Sequence, residues 1–147
     1  MTDLPQRIRT SDGEVINASQ RDVFRYENFK FAAARRAGNV LYVSGVIAGP
    51  EKGEGRDVEA FKTQLRRAFG DLKATLAASG ADFSKVVMIN SFHVWTAFEG
   101  DARTHLTTFI AVKDEFMPPP HPAWTAIGTS GLAIHTGVVE IQVIAHL

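Results

Sequence analysis

The segments His121-Pro122-Ala123-Trp124-Thr125-Ala126-Ile127 and Val138-Val139-Glu140-Ile141-Gln142-Val143-Ile144-Ala145 hold the start of two strands, read as Ala123–Thr129 and Val138–His146. In the second, Val139, Ile141, Val143, Ala145 and Leu147 fall on one side, and Glu140, Gln142, Ile144 and His146 on the other. A period-two split of this kind marks a strand with one face in an apolar core. The apolar side calls for helices to cover it. The mixed side, with a carboxylate among apolar neighbours, suits a subunit interface with polar pockets.

Working outward, Val86 to Thr96 is dense in β-branched and aromatic residues and reads as another strand. Asp101 to Phe116 reads as a helix with Leu106, Phe109, Ile110, Lys113 and Phe116 along one side, stopped by Pro118-Pro119-Pro120. Val58, Phe61, Leu65, Ala68, Leu72 and Leu76 recur at helical spacing, with Asp57 to cap that helix and Gly80 to end it. Gly49 to Gly55 is a charged loop, without the Gly-Lys-Ser/Thr ending of a phosphate loop. Upstream, the apolar runs Phe29–Ala37 and Val40–Ile47 make a hairpin around Gly38-Asn39. An Asp12-Gly13 turn joins Arg7–Thr10 to Val15–Ala18 as a second hairpin. The predicted class is α+β, a single sheet with two helices on one face.

At 147 residues the chain fits one domain. Sixteen basic residues balance 16 acidic ones, so no overall field draws nucleic acid or an anionic membrane. The absence of cysteine excludes a thiol nucleophile and disulfide stapling. The five histidines, 93, 105, 121, 135 and 146, lack the three- or four-residue spacing of helical zinc pairs, so no metal and no cofactor is expected. Residues 1–9 suggest neither a signal peptide nor a membrane span, and a cytoplasmic protein is the expectation.

Ser44-Gly45 after the Val40–Val43 run, Pro122-Ala123 before Trp124, and Glu140-Ile141 near the last strand's start together resemble the YjgF/RidA family. The resemblance covers residues 29–147 and leaves 1–28 as an N-terminal extension. It implies a chorismate-mutase-like fold assembled as a homotrimer, with a cleft at each subunit interface. Its best-known members hydrolyse reactive imines and enamines to ketones and ammonia. By resemblance, Glu140 is the carboxylate that positions water, and Ser44 and Gly45 line the cleft. Phe31 stands where the family has a tyrosine and Trp124 where its deaminases have an arginine.

A guanidinium grips a substrate carboxylate with two parallel charge-assisted bonds, which an indole cannot reproduce. An indole instead offers a broad face for stacking. The sequence therefore predicts a divergent deaminase with Glu140 as catalytic residue and Phe31, Ser44, Gly45, His121 and Trp124 binding a planar or aromatic-derived substrate. In an enzyme, His121, His93 or Arg35 would replace the arginine's charge. The alternatives are a non-catalytic trimer that binds a small molecule or partner and, third, a ribonuclease or translation inhibitor. Structural readings stand beside these: Glu140 as an interface ion pair with Arg35 or Arg36, and Trp124 as packing.

Overall fold

The computed structural model describes residues 2–147; Met1, first residue of the extension, lies outside them. The described residues form seven strands, in one sheet, and three α-helices. The strands are β1 (Gln6–Arg9), β2 (Gly13–Asn17), β3 (Ala34–Ala37), β4 (Val40–Ala48), β5 (Val86–His93), β6 (Ala123–Gly128) and β7 (Val139–His146). The helices are α1 (Gln20–Phe29), α2 (Val58–Ala78) and α3 (Ala102–Phe116). The strand order is β1-β2-β3-β4-β7-β5-β6, antiparallel except for the parallel pair β5-β6.

Asp57 caps α2 by accepting from the Ala60 amide at 2.9 Å. Gly80 takes φ +77 just beyond the helix, a left-handed turn that glycine enters without a Cβ penalty. Phe61, Leu65, Phe69, Leu72 and Leu76 of α2 are buried in one core with Leu41 and Val43 of β4 and Ile141 and Val143 of β7. Each such side chain contributes roughly 1.5–3 kcal/mol on burial. Phe69 joins α2 to α3 by stacking on Phe116, with centroids 5.2 Å apart.

Three expectations are corrected. The helices number three: α1 forms where the sequence predicts only the extension and the start of the Phe29–Ala37 run. Its start is a capping box in which Ser19 and Asp22 each bind the other's backbone amide. The buried stripe of α3 is His105, Thr108, Phe109, Val112 and Lys113, with Ile110 on the exposed side. β5 ends at His93, and Trp95–Ala97 forms a 3-10 turn instead of continuing the strand.

One irregularity positions the site. Val43 pairs with Val143 and Val46 with Ile141, so three steps along β4 match two along β7 and the ladder bulges at Ser44-Gly45. The bulge switches parity: Leu41 and Val43 enter the core before it, and Val46 and Ala48 after it.

Candidate active site

Glu140 sits on the face of β7 opposite α2 and α3, in register with Ile47 of β4 and Phe92 of β5. The side chain lies over the backbone of Gly45. A Cβ built there would come 2.5 Å from its Oε1 and 2.8 Å from its Cγ. Burial pushes the carboxyl above the usual carboxylate range, with no cation or donor pulling it back. Arg35, offered as an ion-pair partner, is held elsewhere by Asp12 at 2.6 Å, and Arg36 lies 3.6 Å from Glu14.

Gly45 provides the room for this placement. Because the clashing atoms belong to a side chain, Gly45→Ala should displace the carboxylate more than it disturbs the sheet. The expected result is a melting temperature within a few degrees of the parent and a loss of the Glu140-dependent activity proposed below. Thermal melts and turnover measured together check it.

Ser44 precedes Gly45 in the bulge. Its hydroxyl donates to the Ala32 carbonyl at 2.6 Å and its amide to the Ala33 carbonyl at 2.9 Å, tying the segment after α1 to β4. That segment carries Phe31, which is 41% exposed. An open cavity of about 330 Å³ lies between α1 and the sheet, bordered by Tyr26, Lys30, Phe31, Arg35, Tyr42 and Ser44 among others. Its volume is at the low end of small-molecule sites, ~300–1,000 Å³. Gln142, two residues along β7 from Glu140, also lines it. Phe31 and Ser44 thus share a cavity; Gly45 and Glu140 do not line it themselves but adjoin it through Ser44, next to Gly45 in the chain, and Gln142.

The structure does not bring the other expected residues there. Trp124 pairs in register with Ile89, a core residue, so its indole takes the helix side of the sheet. It stacks on Phe109 of α3 with centroids 5.6 Å apart and donates from Nε1 to Ser91 Oγ at 2.8 Å. His121 is exposed on the loop before β6 and does not line the cavity. His93, also offered as a replacement charge, is buried on the helix side. Of the three candidates for that charge, Arg35 alone reaches the cavity.

Sequence reasoning missed a buried chain of polar groups. Ser91 Oγ lies 2.7 Å from His93 Nε2, and His93 Nδ1 lies 2.9 Å from His105 Nε2. The outer nitrogen of His105, Nδ1, is buried without a partner in a cage that includes Phe61, Trp95 and Phe98. Burial pulls both imidazoles down to about 4, His105 further opposed by His93. Among the described residues, no group of three or more His, Asp or Glu side chains is placed to hold a metal ion.

An α+β domain with a mixed sheet, helices on one face and a carboxylate over a glycine bulge on the other defines the class. The chain belongs to the endoribonuclease L-PSP family, whose model matches residues 27–147, and it shares the chorismate-mutase-like fold of the YjgF/RidA proteins. It is 37% identical over 123 residues to the RutC family protein YjgH of Escherichia coli (strain K12), covering 83% of this chain and 86% of that one. It is 29% identical over 105 residues to a 2-iminobutanoate/2-iminopropanoate deaminase of Dermatophagoides farinae, covering 69% and 74%. The crystal structure of RidA from the Antarctic bacterium Psychrobacter sp. PAMC 21119 superposes with a TM-score of 0.65 at 27% identity, covering 80% of this chain and 88% of that one. Among the described residues, no helix is long and apolar enough to cross a membrane.

Proposed function

We propose that the chain is a hydrolytic imine or enamine deaminase acting on planar, aromatic-derived substrates. The observation that carries this reading is the half-buried, unpaired Glu140 carboxylate against Gly45, beside a cavity containing Phe31 and Ser44. The deaminase relative from Dermatophagoides farinae supports the reaction class. In the proposed step, Glu140 accepts a proton from water as the oxygen attacks the imine carbon. Passing that proton to the nitrogen gives a carbinolamine; its hydroxyl proton, relayed by Glu140, then moves to the same nitrogen as the C–N bond breaks, so that ammonia leaves and the carbonyl forms. Such proton transfer contributes about 100- to 10,000-fold.

The planar surface comes from Tyr26, Phe31 and Tyr42. Phe31→Ala is therefore expected to weaken ligand binding more than Trp124→Ala, the reverse of the order expected when Trp124 is taken as the stacking platform. The polar and apolar groups on the open face, including the half-exposed Tyr42, lead us to place the working site at the interface of a homotrimer. Light scattering should then give three times the chain mass of 16.1 kDa.

The direct test is a panel of imines generated in place from amino acids, scored by ammonia release. Imines from aromatic amino acids should turn over at least tenfold faster than those from alanine or serine. Equal or faster turnover of the small imines would contradict the substrate assignment. Binding of planar ligands without turnover of any imine would favour the non-catalytic reading.

A further inference from the structure

Lys30 is the one non-glycine residue of the described chain with positive φ, at φ 63 and ψ 37, where it caps the C-terminus of α1. That position ordinarily goes to glycine or asparagine, because a Cβ is disfavoured in the left-handed region. Backbone conformations of this cost cluster at ligand sites. Here the strained residue borders the cavity, and it carries a cation.

The cavity holds a second cation with three of its five N–H donors already used and its charge paired with Asp12. Arg35 Nη1 donates to Thr10 Oγ1 and to the Arg36 carbonyl, and Nη2 donates to Asp12, so its paired nitrogens are turned to the β1-β2 loop. The Lys30 ammonium donates only to the Glu27 carbonyl, leaving two of its three N–H groups for another acceptor. No carboxylate is among the residues that line this cavity, while the rings of Tyr26, Phe31 and Tyr42 are. A cation with unused donors, flat aromatic walls and no competing anion match a flat molecule that carries a negative group.

We infer that the cavity binds a planar carboxylate, with the Lys30 ammonium as its anchor and Tyr26, Phe31 and Tyr42 as its walls. This rests on the deaminase reading only for the statement that the bound carboxylate belongs to a substrate. Lys30 supplies the charge that Trp124, facing α3, does not. A lysine holds a carboxylate as a point charge without the fork geometry of arginine, so it places less demand on the angle of the ligand plane.

The test uses benzoate as probe and benzamide as its uncharged counterpart, both titrated by calorimetry into the full chain. Lys30→Gly removes the ammonium and relieves the backbone, so its melting temperature should equal or exceed the parent's. Benzoate affinity should fall about threefold to tenfold in that variant and weaken with added salt, benzamide affinity should not change, and Lys30→Arg should retain benzoate binding. Benzoate binding Lys30→Gly as tightly as the parent, or failing to bind the parent, would overturn the inference. Ammonia release separates the two readings. Wild-type turnover with a Lys30→Gly protein unchanged in benzoate binding sinks the anchor alone, whereas Lys30-dependent benzoate binding with no imine turned over sinks the deaminase alone.

Discussion

Glu140→Gln is expected to lower ammonia release from a planar imine at least a hundredfold, with benzoate affinity within about twofold of the parent. The substitution keeps the shape that fits over Gly45 and removes only the ability to take a proton. A carboxylate that acts on water in the transition state contributes to kcat and little to ground-state binding. Its raised pKa increases its strength as a base, and the open cavity lined by its β7 neighbour Gln142 gives water a route to it. Steady-state kinetics on the parent and variant, with calorimetry on both, measures the split. A fall in affinity equal to the fall in rate would mean that Glu140 binds ligand and does not act on water.

The second large effect is on stability in mild acid. His93 and His105 are fully buried, adjacent and neutral, with folded values of about 4 against an ordinary value of 6.5. Between these values the unfolded chain binds protons that the folded chain refuses, so stability falls as pH falls. It is fully present above about 6.5 and is lost progressively toward about 4. The pair should cost on the order of a few kcal/mol of unfolding free energy between pH 7 and pH 4.5. Urea titrations at the two pH values measure it. In His105→Phe, which keeps a ring in the aromatic cage, the pH dependence should shrink toward that of one imidazole. Stability equal at the two pH values would show that the imidazoles are charged or solvated in the folded chain.

Much of the fold was legible because periodicity reports directly on burial. The alternation from Val139 to Leu147 and the stripe from Phe61 to Leu76 mark the faces that the structure buries. α1 was not legible for the converse reason: only Asp22 and Val23 of its ten residues are buried, while Phe24 and Phe29 are exposed, so no apolar stripe forms. Its capping box, Ser19 with Asp22, was the available signal. The bulge was hidden in Val40–Ile47, where a parity switch inside a mostly apolar run looks like an uninterrupted strand.

The site was legible only in part because it depends on register between distant strands. Glu140 and Ser44-Gly45 meet through the β4-β7 ladder, which the C-terminal pattern and the family resemblance both suggest. Trp124 is different. Its face is fixed by the parallel pairing of β6 with β5, and a slip of one residue would turn the indole to the other side. Nothing within Ala123–Thr129 fixes that register. The Ser91-His93-His105 chain likewise joins two adjacent same-face positions on β5 to a buried position on α3, and the stripe predicted from Leu106 to Phe116 lies about one step from the one that α3 buries.

The most direct test of Glu140 as the base is the ratio of wild-type to Glu140→Gln ammonia release on one aromatic imine, followed from pH 5 to 8. Taking the ratio cancels effects of pH on the substrate and on the shared fold. Burial holds the carboxyl above its ordinary range, so any fall in the ratio should come at the acid end, and the ratio should stand at a hundredfold or more where the carboxylate is ionised. A ratio that stays near one across the range would contradict the assignment of Glu140 as the group that activates water.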